Sequence, residues 1–256
     1  MIKLSEIPSR APKDLDRAKI EAQTEKMVEK MGELQTLLYG ERKHSLLIIL
    51  QGMDGSGKDG VTRALFKGCS AAGVRVVSYK KPTEEEFAHD FLWRIHKYAP
   101  EKGYIQVFNR SHYEDVLIQR IHKWIDEERV SKRIAAINAF EELVQFDNNT
   151  TILKFYMHIS HEKQLEKLQE RIDLPQDNWK HNLDDWKETK LWDEYRKAYE
   201  DLFARCTVPW HILPCDQKWY RNYLAVKTVY EALKNLNLQL PTLKPADIAA
   251  VEALKK

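Results

Sequence analysis

The chain has 256 residues, with 41 lysines and arginines against 39 aspartates and glutamates, which gives a formal net charge of +2 at pH 7. This balance argues against a strongly basic nucleic-acid-binding protein and against an acidic disordered chain. A hydrophobic content of 43% is enough for one large core, and no linker rich in Gly, Ser or Pro interrupts the sequence, so we expect a single domain over residues 1–256.

The predicted elements alternate along the chain. A leading helix over 14–40 follows Pro8 and Pro12 and ends near Gly40. Short apolar segments rich in β-branched or aromatic residues predict five strands, at 45–50, 74–79, 104–108, 150–159 and 208–213. Helices are predicted at 58–71, 84–98, 114–147, 161–171, 183–205 and 219–236, with a short helical stretch in the tail 241–256. Strands alternating with helices predict a three-layer α/β/α fold around a central parallel five-stranded sheet.

The first predicted strand runs directly into a glycine-rich segment with the G-x-x-x-x-G-K spacing of a phosphate-binding loop. Glycines let backbone N–H groups face an anion, the next helix presents its positive end, and a lysine adds a charge against phosphate oxygens. The spacing alone is common, but its place between strand and helix is what this mechanism requires. We therefore expect phosphate binding by Gly52, Met53, Gly55, Ser56, Gly57, Lys58 and Gly60; a turn that needs glycine only for packing is the alternative.

Two carboxylates in this loop depart from the usual pattern. Asp59 stands where such loops carry a Ser or Thr that binds Mg²⁺, and Asp54 lies inside the loop. Carboxylates repel phosphate unless a divalent cation lies between them, and Mg²⁺ is typically held by one or two carboxylates plus substrate phosphates. Both are candidate metal ligands. For Asp59, a favourable charge at the helix N-terminus is an equally good explanation.

Polar residues also follow the predicted strand 104–108. Ligands of parallel sheets bind outside the carboxyl ends of the strands, so we expect Asn109, Arg110, Tyr113, Glu114 and Asp115 beside the phosphate loop. Arg110 can clamp a phosphoryl group through two hydrogen bonds. The alternative is a surface arginine paired with Glu114.

Three cations recur every four residues in the helix predicted at 161–171: Lys163, Lys167 and Arg171. They share one face of that helix, and Lys180 follows in a Trp-rich segment. Residues 161–201 nevertheless hold eight Lys and Arg against twelve Asp and Glu. A phosphate-binding face and a solvated helix with local ion pairs are therefore equally consistent with the sequence.

Other candidate sites are weak. The nine histidines form no convincing metal set, and no Ser-His-Asp or Cys-His arrangement is apparent. The three cysteines, Cys69, Cys206 and Cys215, lack CxxC spacing, which favours reduced thiols and a cytoplasmic protein. The N-terminus lacks the apolar run of a signal peptide, and the longest aliphatic run is five residues against about 20 for a membrane span, so we expect neither secretion nor a membrane partner.

Four motifs together resemble the family-2 polyphosphate kinases: GMDGSGKDG, FNRSHYEDV, DNWKHNLDDWKE and PWHILPCDQKWYRNYLAV. The resemblance covers residues 14–238 and implies a fold similar to thymidylate kinases, with a helical lid over 161–200. It implies reversible phosphoryl transfer from inorganic polyphosphate to AMP, ADP or other nucleotides, with ATP among the products and Mg²⁺ or Mn²⁺ as cofactor. A homo-oligomer, dimer or tetramer, without nucleic acid, is expected.

The same resemblance assigns roles to individual residues. It implies that Asp54 binds the metal, that Lys58 and Arg110 bind phosphate, that Arg171 reaches the transferred group and that Lys180 faces polyphosphate. The Glu114-Asp115 pair resembles the subgroup that phosphorylates both nucleoside mono- and diphosphates. Asn109 replaces the Asp of some relatives, which leaves open whether this strand end holds a metal. An ATP-dependent nucleoside monophosphate kinase and a non-catalytic P-loop binding protein are the alternatives.

Overall fold

The computed structural model describes residues 2–255 and contains a five-stranded sheet in the order β2-β3-β1-β4-β5, with every pairing parallel. The strands are β1 Ser45–Gln51, β2 Val74–Ser78, β3 Ile105–Asn109, β4 Thr150–His158 and β5 Trp210–Pro214. All five predicted strands are confirmed within two residues at each end.

Eleven helices are present in residues 2–255: α1 Arg17–Glu41, α2 Lys58–Phe66, α3 Glu84–Phe87, α4 Trp93–His96, α5 Glu114–Ile121, α6 Glu127–Asn148, α7 His161–Asp173, α8 Leu183–Glu188, α9 Trp192–Arg205, α10 Lys218–Asn235 and α11 Pro245–Leu254. Short 3-10 turns lie at Leu4–Glu6, Ala71–Gly73, Pro175–Lys180 and Thr189–Leu191. None of the helices in this part of the chain combines the length and the hydropathy that crossing a membrane requires.

Alternate residues of β1 face opposite helical layers. Leu47 and Ile49 belong to a core cluster with residues of α5, α6 and α9. Leu46, Ile48 and Leu50 belong to a second cluster with residues of α1, α2 and α10. Because β1 is buried along its whole length, its continuous apolar sequence fits a strand covered on both faces. The predicted α/β fold with a parallel five-stranded sheet between helices is confirmed.

Three of the predicted helices are wrong in extent. The segments 84–98, 114–147 and 183–205 each hold two helices instead of one. In the first, Thr83 caps α3 in a capping box, and the Asp90 side chain accepts a hydrogen bond from Leu92 N, which starts a new turn. In the second, the chain turns at Lys123, where φ is +58°, and Asp126 caps α6. In the third, a 3-10 turn separates α8 from α9.

Two further helix ends differ from the prediction. The helix predicted at 58–71 stops at Phe66. The leading helix continues through Gly40 and ends at Glu41, and Arg42 takes the left-handed conformation. A Cβ at Gly40 would lie 2.6 Å from Cδ2 of Leu240, so this glycine allows close packing of the C-terminal segment and does not end the helix.

The N-terminal segment reaches the carboxyl end of the sheet and meets Asp216, which follows β5. Ser9 Oγ donates to Asp216 Oδ2 at 2.9 Å, and Asp216 N donates to Ser9 O at 3.0 Å. The same carboxylate accepts hydrogen bonds from N and Oγ of Ser160, both at 2.9 Å. Since Ser160 caps α7, this Asp216 junction of Ser9, Ser160 and Asp216 ties the N-terminal segment to the start of α7.

Candidate active site

The strand order places the phosphate loop beside the end of β3. Leu50 of β1 lies opposite Asn109 of β3, and Arg110 N donates to Leu50 O at 3.0 Å. The loop then leads into α2, and the turn after β3 leads into α5. Both segments contribute to one cleft of about 690 Å³. The two motifs therefore meet as the carboxyl-end argument predicts.

Gly57 ends the phosphate loop at the N-terminus of α2 with φ +90°, a conformation that favours glycine. A Cβ here would also lie 2.1 Å from Nη1 of Arg221, which α10 places behind the loop. Arg221 is buried and donates to Asn222 Oδ1. No carboxylate of residues 2–255 forms an ion pair with it, so the loop has an uncompensated cation at its back.

Lys58 folds back over the phosphate loop. Its Nζ donates to Gly52 O at 2.7 Å and to Met53 O at 3.2 Å. Burial lowers the pKa of Lys58, although Asp54 opposes that shift. In the described part of the chain its ammonium group has no ion-pair partner within 4 Å. An anion bound in the cleft would therefore be its first ion-pair partner.

Arg110 pairs with Asp54 across the cleft. Its Nη2 donates to Asp54 Oδ1 at 2.5 Å, so the alternative of a surface pair with Glu114 does not hold. Burial alone would raise the pKa of Asp54, but Lys58 and Arg110 outweigh burial and lower it, which keeps the carboxylate ionised. Burial also opposes the charge on Arg110, and Asp54 outweighs it and raises the Arg110 pKa.

The carboxylates of the loop are suited to a divalent cation. Asp59 Oδ1 accepts a hydrogen bond from Asn109 Nδ2 at 2.5 Å, as Asp54 Oδ1 does from Arg110. In both aspartates the second oxygen has no hydrogen-bond partner among residues 2–255, and both line the cleft. Mg²⁺ commonly takes one or two carboxylates plus substrate phosphates, so this donor set fits it. The described residues contain no group of three or more potential metal ligands.

Glu114 is the first residue of α5. It does not line the cleft, but its charge acts on the cations there. With the Gln51 amide oriented to satisfy both of its polar atoms, Gln51 Nε2 donates to Glu114 Oε1 at 2.8 Å. Burial raises the pKa of Glu114, whereas Arg110 and Lys58 oppose the shift. Burial therefore favours the protonated form of Glu114, whereas the two cations favour its carboxylate.

The helix α7 and the turn after it form the other wall of the cleft. Gln164 Nε2 donates to Asp54 O at 3.1 Å, so α7 rests directly on the phosphate loop. The cations on this wall are each paired: Lys167 with Glu170 at 2.6 Å, Arg171 with Asp185 at 2.5 Å and Lys180 with Asp177 at 2.5 Å. All three line the cleft. The local ion pairs that the second interpretation expects are thus present, while Lys167, Arg171 and Lys180 also face the cleft, so phosphate binding by this face stays a prediction.

Five other predicted site residues do not line the cleft: Gly52, Met53, Ser56, Tyr113 and Lys163. Ser56 is buried, and Gly52 and Met53 contribute carbonyl groups to Lys58. Tyr113 is completely buried and its hydroxyl donates to Glu141, which excludes contact with a substrate in this structure. Lys163 pairs with Glu166 elsewhere on α7.

The model of the family Polyphosphate kinase 2 (PPK2) matches residues 14–241 of this chain. The chain belongs to the polyphosphate kinase 2 family. An AMP/ADP-polyphosphate phosphotransferase of Meiothermus ruber is 43% identical over 215 residues, which cover 83% of this chain and 80% of that protein. An ADP-polyphosphate phosphotransferase of Rhodopseudomonas palustris is 37% identical over 86% of this chain and 81% of its own length.

The crystal structure of Polyphosphate Kinase 2 from Arthrobacter aurescens TC1 matches with a TM-score of 0.91 at 35% identity, covering 98% of this chain and 93% of that chain. The family resemblance carried by the four motifs is thus confirmed. Since the relatives in this family are phosphotransferases, the prediction that the protein is a kinase is confirmed as well.

Eight residues that line the cleft were not predicted from the sequence as site residues: Arg63, Ser78, Tyr79, Lys80, Glu170, Asp177, Trp179 and Lys218. Lys218 lies in a motif that carries the family resemblance, which was a usable signal. Asp185 was also missed. Burial, and then the neighbouring Asp54, raises the pKa of Asp185, while Arg171 opposes the shift. Its contact with Arg171 depends on how α8 folds against α7, which no local pattern reveals.

Proposed function

We propose that this protein transfers a phosphoryl group from inorganic polyphosphate to AMP and to ADP, with Mg²⁺ as cofactor and Mn²⁺ as a substitute. The charge of the cleft carries the proposal: eight lysine and arginine side chains line it against four carboxylates. The whole chain has a net charge of only +2, so its cations are concentrated where two polyanions would meet. The relatives from Meiothermus ruber and Rhodopseudomonas palustris support the same substrates.

The proposed reaction needs no general base. The terminal phosphate of AMP or ADP has a second pKa near about 6, so its attacking oxygen is largely ionised at neutral pH. The task of the protein is to align two anions and to offset their charge, which is the usual requirement of phosphoryl transfer. A cleft lined by cations, with no histidine or cysteine among its described lining residues, suits that task.

In this proposal the two walls of the cleft have different roles. Lys58 and the loop N–H groups bind the donor, and Arg110 orients the reacting phosphates from the opposite strand end. Asp54 and Asp59 hold Mg²⁺, which supplies charge neutralisation at phosphate oxygens. Arg171 stabilises the transferred group, and Lys167 and Lys180 bind the polyphosphate chain. A homo-oligomeric assembly and a cytoplasmic location remain predictions.

The deciding experiment supplies polyphosphate as the sole donor to the purified protein. AMP and ADP are tested separately as acceptors with Mg²⁺, Mn²⁺ or EDTA, and the products are separated by ion-exchange chromatography. A second assay uses ATP as the donor and AMP as the acceptor. We expect ADP from AMP and ATP from ADP, with EDTA abolishing both. Transfer from ATP but not from polyphosphate would establish a nucleoside monophosphate kinase instead. Binding without any product would establish a non-catalytic protein.

A further inference from the structure

The turn between β3 and α5 presents its side chains to two different environments. Arg110 and Glu114 act at the cleft, the first through its contact with the loop and the second through its charge. The three residues between them, Ser111, His112 and Tyr113, are all fully buried. The proposed function uses the outer pair and leaves the buried residues without a task.

The Tyr113 hydroxyl is one corner of a buried group that we name the Tyr113 triangle, formed with Glu141 of α6 and Lys154 of β4. Tyr113 donates to Glu141 Oε1, and Lys154 Nζ donates both to Glu141 Oε2 and to the Tyr113 oxygen, with all three distances at 2.7 Å. No part of these side chains is exposed. Burial, and then the Glu141 carboxylate, raises the pKa of Tyr113, so the hydroxyl keeps the proton that it donates.

Stability alone is a poor explanation for the Tyr113 triangle. Taking ions out of water costs several kcal/mol each, and well-packed apolar residues of similar volume are often at least as stabilising as a buried ion pair. The surroundings are aromatic, with Lys154 Nζ 5.2 Å from the ring centres of both Tyr113 and Trp210. What the triangle has and an apolar core lacks is direction, because each hydrogen bond constrains a distance and an angle.

The turn's backbone couples the triangle to the cleft. Tyr113 N donates to Ser111 Oγ at 3.2 Å, and Glu114 N donates to Ser111 O at 3.0 Å. Arg110 has φ +59°, a left-handed conformation that is unfavourable for a non-glycine residue. Such a conformation persists only where the surroundings enforce it. Arg110 N is held by Leu50 O at 3.0 Å, and the fixed Tyr113 restrains the chain on the other side of Arg110.

We propose that the Tyr113 triangle fixes Arg110 and Glu114 at the phosphate loop, which makes Tyr113, Glu141 and Lys154 positioning residues for phosphoryl transfer. The triangle ties the turn to α6 and to β4, and β4 pairs along the full length of β1, the strand that carries the loop. The two motifs of the cleft thereby share one anchor in the core. Only the kinetic test of this inference rests on the proposed function.

The kinetic test compares two tyrosine-to-phenylalanine variants. Tyr113→Phe keeps the ring and removes the hydrogen bonds of the hydroxyl. Tyr156→Phe is the matched control, because Tyr156 is buried in the same core cluster and its hydroxyl has no hydrogen-bond partner among residues 2–255. Well below each Tm, we expect kcat of Tyr113→Phe to fall about 10- to 100-fold, KM for each substrate to change less than about threefold, and the control to match wild type. A lower Tm with wild-type kcat would overturn the proposal.

A crystal structure of Tyr113→Phe tests the same inference without any turnover. We expect Arg110 to lose its contact with Asp54 in this variant. Unchanged positions of Arg110 and Glu114 would refute the positioning role. A wild-type protein that is inactive with polyphosphate would refute only the proposed function. The double variant Glu141→Leu/Lys154→Met removes both hydrogen-bond partners of the Tyr113 hydroxyl and both charges together, so that neither charge is left buried alone. It should show the same loss of kcat, and wild-type turnover in it would also overturn the proposal.

Discussion

The phosphate loop and helix α7, which belongs to the segment predicted to form a lid, bring cations to the same cleft but keep them in different states. Lys58 of the loop is hydrogen-bonded to two carbonyl groups and has no ion-pair partner in residues 2–255. Lys167 and Arg171 of α7 each pair with a carboxylate, at 2.6 and 2.5 Å. The loop therefore holds a cation without a direct ion-pair partner, whereas Lys167 and Arg171 must each leave a carboxylate in order to bind an anion.

This difference indicates how the two walls respond to substrate. The backbone fixes the loop before binding, so its interactions cost little reorganisation. The pairs Lys167–Glu170 and Lys180–Asp177 are partly exposed, and pairs of that kind contribute only about 0–1 kcal/mol, so we expect polyphosphate to replace their carboxylates at low cost. A polyanion should thus meet a rigid site on one wall and an adjustable one on the other.

The largest effect should come from removing the loop cation. Lys58→Met keeps most of the side-chain volume, and we expect turnover to fall about 10²- to 10³-fold, as for loss of one preorganised donor. Tm should stay equal or rise by a few degrees, because burial disfavours this charge in the unliganded protein. Steady-state kinetics and thermal melting check both, with Lys67→Met on the exposed end of the same helix as control. A Tm about 10 °C lower would make Lys58 structural and would weaken the contrast.

Asp54→Asn should cost about 10²-fold in turnover, since it removes the negative charge that is available both to a metal and to the ion pair with Arg110. Titration with Mg²⁺ at saturating substrate measures the effect, and Asp147→Asn on the exposed side of α6 is the matched control. Full recovery at high Mg²⁺ would show weakened metal affinity alone. Wild-type behaviour at every Mg²⁺ concentration would exclude Asp54 from the metal site.

Arg171→Ala should have a smaller effect, about tenfold on kcat, because Arg171 must leave Asp185 before it acts on the transferred group. KM should change less than kcat if that contact strengthens in the transition state. Arg205→Ala removes an arginine of similar exposure, paired with Asp201 on α9 outside the cleft, and serves as control. Equal kinetics in the two variants would show that Arg171 does not contribute to the reaction and that this wall of the cleft is not catalytic.

The smallest effect should come from Lys167→Ala, with KM for long polyphosphate rising about threefold and kcat unchanged. The difference from wild type should shrink at high salt, because screening weakens the attraction that Lys167 adds. Lys163→Ala is the internal control: Lys163 has the same local pairing with a glutamate three residues on, but it does not line the cleft. A similar rise in both variants would indicate a general charge effect of α7.

The sheet and the main motifs could be predicted from the sequence because each depends on local pattern plus one topological rule. Apolar runs mark the strands, and the carboxyl ends of adjacent parallel strands place Lys58 near Arg110. The helix interruptions were not predicted. At Lys123 the chain adopts a left-handed conformation inside a helix-like pattern, and the only local sign was Asp126 before two glutamates.

The direction of side chains was less predictable than the position of the elements. Tyr113 stands in a motif between two cleft residues, yet its ring points into the core because Glu141 and Lys154 supply buried partners from distant segments. Likewise, the partner of Arg171 is Asp185 of another helix and not a residue of α7. Such contacts form only in the folded chain, so sequence spacing carries no trace of them.

The Asp216 junction also has a consequence for the order in which the protein is made. Ser9 and Asp216 are 207 residues apart, and at 5 to 20 residues per second the ribosome needs about 10 to 40 s to synthesise the chain between them. Until Asp216 has been made, Ser9 lacks this carboxylate partner, and so does Ser160 at the start of α7. The phosphate loop can therefore form on the emerging sheet before the wall opposite it is anchored, so the cleft is completed only near the end of synthesis.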